Sequence, residues 1–197
     1  MSDKNNFHFT GICGTAMGAV AAAMKERGYK ISGSDSAVYP PISTFLESRG
    51  IKLERGYRAS NIPEKADIIV VGNAISRGNE ELEEVLNRKL RYVSMPEVLK
   101  DHFLRGKRNY VVSGTHGKTT TTSLLTWVLH ESGKDPGYLI GGLPRNFDGG
   151  AAVHHHFDTA RHRPCSGFGV FDAKLHPYRR QVRESGKCLI DHRPRLF

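Results

Sequence analysis

The sequence has few cysteines and lacks any long hydrophobic run. Its 197 residues include three cysteines, Cys13, Cys165 and Cys188, an odd number without Cys-x-x-Cys spacing. This pattern argues against a disulfide scaffold or a cysteine zinc site and favours the cytoplasm. No apolar run approaches the roughly 18 residues that a membrane span needs. The polar residues 1–6 do not resemble a signal peptide. We therefore expect a cytoplasmic protein without a membrane partner.

Acidic residues are scarce relative to basic ones, and much of the imbalance lies near the C-terminus. The formal charge is +9, from 29 Lys and Arg against 20 Asp and Glu. Residues 151–197 contribute +5 of this charge, which leaves +4 for residues 1–150. A mildly basic body suits nucleotides as well as it suits nucleic acid. Because the basic tail lacks interleaved aromatic residues and any nucleic-acid motif, we expect no nucleic-acid partner.

The most informative stretch is Ser113-Gly114-Thr115-His116-Gly117-Lys118-Thr119-Thr120. An apolar run at 110–112 precedes it, and a helical pattern follows at Leu124, Leu125, Val128 and Leu129. A strand, a glycine turn and a helix in this order predict a phosphate cradle built from backbone N–H groups and the helix dipole. Val112 stands where the usual P-loop has its first glycine, so the predicted cradle is a shorter variant.

Within this cradle, two side chains carry the expected chemistry. Lys118 would reach the terminal phosphates of a nucleotide, and the Thr119 hydroxyl would ligate Mg²⁺. His116 either contacts nucleotide or only shapes the turn.

A second glycine turn lies near the N-terminus, with glycines at 11, 14 and 18. A predicted strand at 7–12 precedes it, and a helix face at Met17, Val20, Ala21 and Met24 follows. A strand at 29–32 then completes a βαβ unit, which implies a parallel sheet. Asp35 follows this strand, where such folds bind a ribose hydroxyl. The glycine spacing differs from the dinucleotide fingerprint, so a tight turn without a ligand stays an alternative.

Further strands are predicted at 51–53, 67–71 and 92–93, with helices beginning at Pro40-Pro41 and covering 80–88 and 95–103. The loop at 72–79 follows a buried strand, and its Arg77 and Asn79 could hold a phosphate or sugar. Asn79 could equally cap the next helix. In that helix, Leu82, Val85 and Leu86 are predicted to point inward, and Glu81, Glu83 and Glu84 to form a solvated face.

The polar link at 105–109 divides the predicted domains, which are residues 1–106, 107–150 and 151–197. The fold class is α/β: a Rossmann-like parallel-sheet domain followed by the start of a P-loop ATPase domain. The last segment holds six of the ten histidines and shows weak periodicity apart from 167–171. Its composition predicts disorder, and the run at 154–156 is not predicted to bind metal.

The two glycine-rich strand–helix units together resemble the Mur ligases of bacterial cell-wall synthesis. The resembling stretches are residues 8–18, 33–35, 38–44, 72–79, 114–120 and 140–147. The likeness is closer to members that attach a murein tripeptide than to those that add L-alanine. The latter usually have a second glycine where Cys13 stands and a histidine where Tyr57 stands.

The resemblance implies a domain that binds UDP-N-acetylmuramate and a central ATPase domain beginning near Lys107. In the family, ATP phosphorylates the muramoyl carboxylate, and the amine of the incoming peptide attacks the acyl phosphate. Positions that match the UDP-sugar site are Gly11, Gly14, Thr15, Ser34, Asp35, Asn73 and Ala74. Positions that match the ATP site are Gly114, Thr115, His116, Gly117, Lys118, Thr119 and Thr120. Lys118 and Thr119 take the catalytic roles, and Thr119 also binds Mg²⁺.

The chain departs from the family after Asn146-Phe147. Family members continue into an acidic segment whose glutamate helps to hold Mg²⁺, and residues 151–197 do not match it. We interpret this segment as frameshifted or truncated sequence, with weak ATP binding and poor or absent ligase activity as the consequence. Translation of the other two reading frames past codon 150 tests the interpretation. A nucleotide-binding module without catalysis is the alternative from a different functional class.

Overall fold

A computed structural model describes residues 5–134, 136–142, 146–147 and 168–173. Among them are eight strands: β1 Asn6–Thr10, β2 Lys30–Asp35, β3 Lys52–Arg55, β4 Ile68–Val71, β5 Tyr92–Ser94, β6 Arg108–Ser113, β7 Gly137–Leu139 and β8 Phe168–Ala173. The α-helices are α1 Thr15–Glu26, α2 Ile42–Glu47, α3 Glu80–Asn87, α4 Met95–Leu99 and α5 Lys118–Glu131. A 3₁₀ turn covers Ala59–Asn61, and a π-helical turn, Lys100–Leu104, continues α4. The predicted α/β class is confirmed.

The first five strands form one parallel sheet in the order β3-β2-β1-β4-β5. The chain moves outward from β1 to β3 on one side and then returns through β4 to β5 on the other. The direction of winding therefore reverses between β1 and β4. Open parallel sheets bind ligands in the crevice that such a reversal leaves at the carboxyl ends of the strands.

Helix α1 is buried over residues 17–24, which include the four positions that the sequence predicts to face inward. Met17, Val20, Ala21 and Met24 are all buried, and they pack with the strand residues Phe7 and Phe9 in the main core. The helix stops before Gly28, whose φ of +82° is a left-handed conformation that favours glycine. This packing fixes the start of α1 above the carboxyl ends of the strands.

Strand β2 is longer than predicted, because Gly33-Ser34-Asp35 belong to the strand and not to a turn after it. Gly33 pairs with Phe9 in the neighbouring strand. A methyl group on Gly33 would lie 2.6 Å from the Phe9 carbonyl oxygen and 2.6 Å from Ile12 Cδ1. The absence of a side chain at this position allows the Ile12 side chain to pack directly on the sheet.

Two predicted helix faces differ in the structure. In α3, Val85 is fully buried, but Leu86 is exposed. In α5, Thr122 and Thr126 are the buried residues, whereas Leu124 and Val128 are 62% and 52% exposed. The side of α5 that packs on β6 and β8 is thus a threonine face. Because α5 contains both threonine and leucine residues, the sequence pattern did not indicate which side of the helix faces the sheet.

The second sheet has the order β6-β8-β7, and its strands are parallel. Its central strand, β8, comes from the segment at 167–171 that was the one strand-like part of the tail. The rest of residues 151–197 lies outside the described residues, including the histidines at 154–156. The division into three domains stays a prediction.

Candidate functional site

A cavity of about 590 Å³ opens at the carboxyl ends of β1, β2 and β4, at the reversal of winding. Three segments supply its polar wall: Gly11, Cys13, Gly14 and Thr15; Asp35, Ser36 and Ala37; and Gly72, Asn73, Ala74 and Ile75. The other lining residues are Met17, Tyr39, Pro41, Ile42, Tyr57 and Gly142. Six of the seven predicted UDP-sugar positions meet at this cavity. Their role as binding positions stays a prediction.

The glycine turn after β1 is held by backbone hydrogen bonds. Gly11 adopts a φ of +87°, and its N–H donates to the Ser34 carbonyl oxygen at 2.8 Å. The N–H of Ile12 donates to the same oxygen at 3.0 Å. Gly14 is the N-cap of α1 and has no side chain to accept from the first N–H groups of the helix. This arrangement suits an anion at the helix N-terminus.

Asp35 also has a structural role, and the ribose contact that the sequence suggests stays a prediction. One carboxylate oxygen accepts from the N–H of Cys13 at 2.9 Å, and the other accepts from the N–H of Ala37 at 2.9 Å. Each oxygen has a second lone pair for a ligand. Asp35 therefore ties the glycine turn to the end of β2 while still lining the cavity.

Ser34 is the predicted UDP-sugar position that does not line the cavity. Its side chain is fully buried, and its hydroxyl donates to Glu81 Oε2 at 2.5 Å. Its carbonyl, as described, holds the glycine turn. Ser34 thus supports the cavity from behind.

The prediction that Glu81 lies on a solvated helix face is wrong. Its side chain is fully buried. It accepts hydrogen bonds from Ser34 and, at 2.7 Å, from Asn61 Nδ2, and His8 Nε2 lies 3.8 Å away. Glu83 is exposed, as predicted. The reason for the difference is the polar cluster on β1, β2 and the 3₁₀ turn, whose donors need a buried acceptor.

This buried cluster connects two walls of the cavity. Asn61 Nδ2 also donates to the Gly56 carbonyl at 2.9 Å, and Gly56 N–H donates to the Asp35 carbonyl at 2.9 Å.

Burial by itself would raise the pKa of Glu81, but the interactions with His8, Ser34 and Asn61 outweigh it and hold that pKa below its ordinary value. Glu81 is therefore an ionised acceptor at neutral pH.

The loop after β4 contributes its first half to the cavity. Asn73 and Ala74 line it, whereas Arg77 does not. Asn79 caps α3, because its Oδ1 accepts from the N–H groups of Glu81 and Leu82 at 3.1 Å each. The capping alternative for Asn79 is thus the one that the structure contains.

Tyr57 belongs to the cavity wall and was absent from the predicted site positions. Burial and the nearby Asp35 carboxylate raise the pKa of the Tyr57 hydroxyl. The group therefore stays protonated at neutral pH and can donate a hydrogen bond to a ligand. The sequence offered one signal, since Tyr57 marks a departure from the L-alanine-adding members.

Cys13 gives a prediction about thiol reactivity. Burial, followed by the charges of Asp35 and Glu47, raises the pKa of this thiol from 9.0 to about 11. We expect alkylation by iodoacetamide at pH 8 to be roughly 100-fold slower than for a thiol with an ordinary pKa, because only the thiolate reacts. Alkylation of the C165S/C188S variant, followed by mass spectrometry between pH 7 and 9.5, measures the rate. A rate that levels off near pH 9 would contradict the shift.

The phosphate loop lies between β6 and α5, as predicted. Gly117 is the N-cap of α5 and has a φ of +75°, and it offers no side-chain acceptor to the first N–H groups of the helix. Lys118 Nζ donates to the carbonyl oxygens of Gly114 at 2.6 Å and Thr115 at 3.2 Å. The ammonium group therefore lies over the turn. Thr119 and Thr120 occupy the first turn of the helix.

The polar groups of this loop are chemically suited to bind a nucleotide together with Mg²⁺. The N–H groups at the start of α5 and the Lys118 ammonium suit phosphate oxygens, and a threonine hydroxyl at position 119 suits Mg²⁺. Among the described residues, no group of three or more His, Cys, Asp or Glu side chains is arranged to hold a metal ion.

No helix in the described part of the chain combines the length and apolar character required to cross a bilayer. A model of the Mur ligase family, catalytic domain, matches residues 6–107. Two curated relatives are both UDP-N-acetylmuramate–L-alanyl-γ-D-glutamyl-meso-2,6-diaminoheptanedioate ligases. The one from Haemophilus influenzae is 51% identical over 142 residues, and the one from Escherichia coli is 47% identical over 141.

These matches cover 72% of this chain and 31% of each relative, so the chain spans about a third of their length. A solved structure gives the same picture. The UDP-N-acetylmuramate:L-alanyl-γ-D-glutamyl-meso-diaminopimelate ligase from Neisseria meningitides superimposes with a TM-score of 0.79 and 42% identity, over 86% of this chain and 52% of that one. The chain belongs to the Mur ligase family.

Proposed function

We propose that this chain carries the UDP-N-acetylmuramate site and the phosphate loop of an ATP-dependent ligase that joins a murein tripeptide to UDP-N-acetylmuramate. The observation that carries the proposal is the cavity at the β1–β4 reversal together with a phosphate loop at the start of α5, and Gly142 lies beside both. The names of the two curated relatives support the choice of the peptide L-alanyl-γ-D-glutamyl-meso-diaminopimelate. We also infer a cytoplasmic location, where these nucleotides occur.

The cavity residues would bind and orient the sugar nucleotide. The diphosphate lies at the N-terminus of α1, where Gly14 leaves N–H groups for it. Asp35 accepts hydroxyl donors through its remaining lone pairs, and the protonated Tyr57 hydroxyl donates. The exposed ring of Tyr39 gives the cavity an aromatic edge. Together these groups would fix the muramoyl carboxylate at the open side of the cavity.

The phosphate loop would hold ATP, which supplies the phosphoryl group that activates the carboxylate. Lys118 moves from the Gly114 and Thr115 carbonyls to phosphate oxygens and neutralises their charge. The Thr119 hydroxyl would ligate Mg²⁺, and the N–H groups at the start of α5 would donate hydrogen bonds to phosphate oxygens. Once these groups contact the bound nucleotide, they would stabilise the negative charge that develops during phosphoryl transfer.

Replacing Lys118 tests the nucleotide site. We expect K118A to weaken Mg²⁺-dependent ATP binding at least tenfold, because the ammonium group is the strongest cation at the loop. UDP-N-acetylmuramate binding, measured in parallel by calorimetry, should not change. The single tryptophan, Trp127, lies on α5, and a change in its fluorescence on addition of ATP would give an optical measure of binding.

The matched control is K134A, since Lys134 is an exposed lysine just beyond the other end of α5. It should bind ATP like the wild type. Equal ATP affinity in K118A and the wild type would favour a nucleotide-binding module without catalysis over the ligase.

A further inference from the structure

The cavity and the phosphate loop meet at one glycine. Of the described residues that line the cavity, all except Gly142 come from residues 11–75. Gly142 comes from the segment after β7, and a methyl group placed on it would lie 3.2 Å from Cγ2 of Thr119. Gly142 is therefore adjacent both to the proposed UDP-sugar site and to the residue expected to ligate Mg²⁺.

The position of Gly142 is fixed by the buried strand that precedes it. Tyr138, Leu139 and Ile140 are all buried, and β7 is paired with β8. Thr119 is held at the start of α5 by the helix backbone, and its carbonyl accepts from Ser123 Oγ at 2.7 Å. Because both backbones are anchored, a new atom between them would have to be accommodated by the Thr119 side chain.

The branched side chain of threonine couples this steric contact to the position of the Thr119 hydroxyl. Carbon atoms attract each other best at about 3.5–4.0 Å, so a contact at 3.2 Å pushes the Cγ2 methyl group away. Cγ2 and the hydroxyl oxygen branch from the same carbon atom, and rotation about χ1 moves both together. A side chain at position 142 would therefore move the Thr119 hydroxyl.

We propose that Gly142 is a positioning residue: its lack of a side chain keeps the Thr119 hydroxyl in its metal-binding orientation at the boundary between the two sites. This inference rests on the proposed function, since it assigns a role within the Mg²⁺–nucleotide site. Gly142 does not itself touch the reacting atoms, and it acts through Thr119.

The test is a double-mutant cycle that adds and removes the two clashing groups. G142A adds the methyl group, and T119S removes Cγ2 while keeping the hydroxyl. We expect G142A to weaken Mg²⁺-dependent binding of ATP about fivefold to tenfold, measured by Trp127 fluorescence or calorimetry on the full chain. T119S has its own reference affinity, and we expect G142A/T119S to bind ATP within about twofold of T119S. With EDTA present, ATP binding should not differ between G142A and the wild type.

The urea midpoints of the same four proteins give a second measurement that needs no nucleotide. G142A should lower the midpoint more in the wild-type background than in the T119S background. An equal fall in ATP affinity in both backgrounds, or the same fall in EDTA, would overturn the proposal. If the wild type binds no ATP with Mg²⁺, the proposed function fails, and equal midpoint changes in the two backgrounds would then overturn the contact itself.

Discussion

Replacing Gly33 by alanine should lower the free energy of unfolding by about 3 kcal/mol or more, or prevent folding altogether. The new methyl group would lie 2.6 Å from the Phe9 carbonyl oxygen, which is part of the central sheet and cannot move aside cheaply. It would also meet Ile12, at 2.6 Å from Cδ1 and 2.8 Å from Cβ. Relief requires β2 to separate from β1, and the glycine turn between β1 and α1 would shift with it.

Gly14 offers a matched control for this substitution. Its φ is −62°, and a methyl group there would meet no atom closer than 3.7 Å. We expect G14A to cost less than about 1 kcal/mol, mainly because alanine is a poorer N-cap than glycine. Urea unfolding followed by far-UV circular dichroism compares the two variants. Equal stability of G33A and G14A would contradict the close packing of β2 on Ile12.

Removing the Glu81 carboxylate should also destabilise the protein strongly. E81A leaves the Ser34 hydroxyl without its acceptor and the Asn61 amide without one of its two acceptors in a buried cluster, and we expect a loss of about 3 kcal/mol or more. E81Q keeps the shape, but its amide group presents a donor where the cluster needs an acceptor. Its expected loss is about 2 kcal/mol. E80Q, on an exposed neighbour in the same turn, should change stability by less than about 0.5 kcal/mol.

The stability difference between the wild type and E81Q should depend on pH. The pKa of Glu81 is lower in the folded protein than its ordinary value, so the folded state binds this proton less tightly than the unfolded chain does. The carboxylate therefore adds stability above the ordinary glutamate pKa of about 4.3, and this contribution is lost as the pH falls through the folded value. Urea titrations at pH 7 and at lower pH measure it. A difference that widens on acidification would contradict this account.

Local sequence patterns predicted the parts of the site that local chemistry determines. The turn at Gly11, the position of Asp35 at the carboxyl end of β2 and the start of α5 at Lys118 all follow from glycine conformation and apolar periodicity. The role of Glu81 could not be found in this way. Its partners His8, Ser34 and Asn61 are distant in the sequence, and three acids on a short helix are the ordinary pattern of a solvated face.

The strand order of the second sheet was also difficult to predict from the sequence. The strand that pairs with β6 is β8, which begins 55 residues after β6 ends, and only one short run in the tail suggested it. The sequence also could not show which side of α5 is buried, because the buried residues are Thr122 and Thr126 and not the leucines. Which face of a helix is covered depends on its partners, and these were remote in sequence.

The turn between β1 and α1 has a thermodynamic consequence for ligand capture. Gly11 and Ile12 are held by the Ser34 carbonyl, and Cys13 by the Asp35 carboxylate, so the turn is ordered by hydrogen bonds within the protein itself. The entropy of ordering this segment is thus lost during folding and not during association. A preorganised turn of this kind should bind its anion with little backbone rearrangement, so more of the intrinsic interaction energy appears as measured affinity.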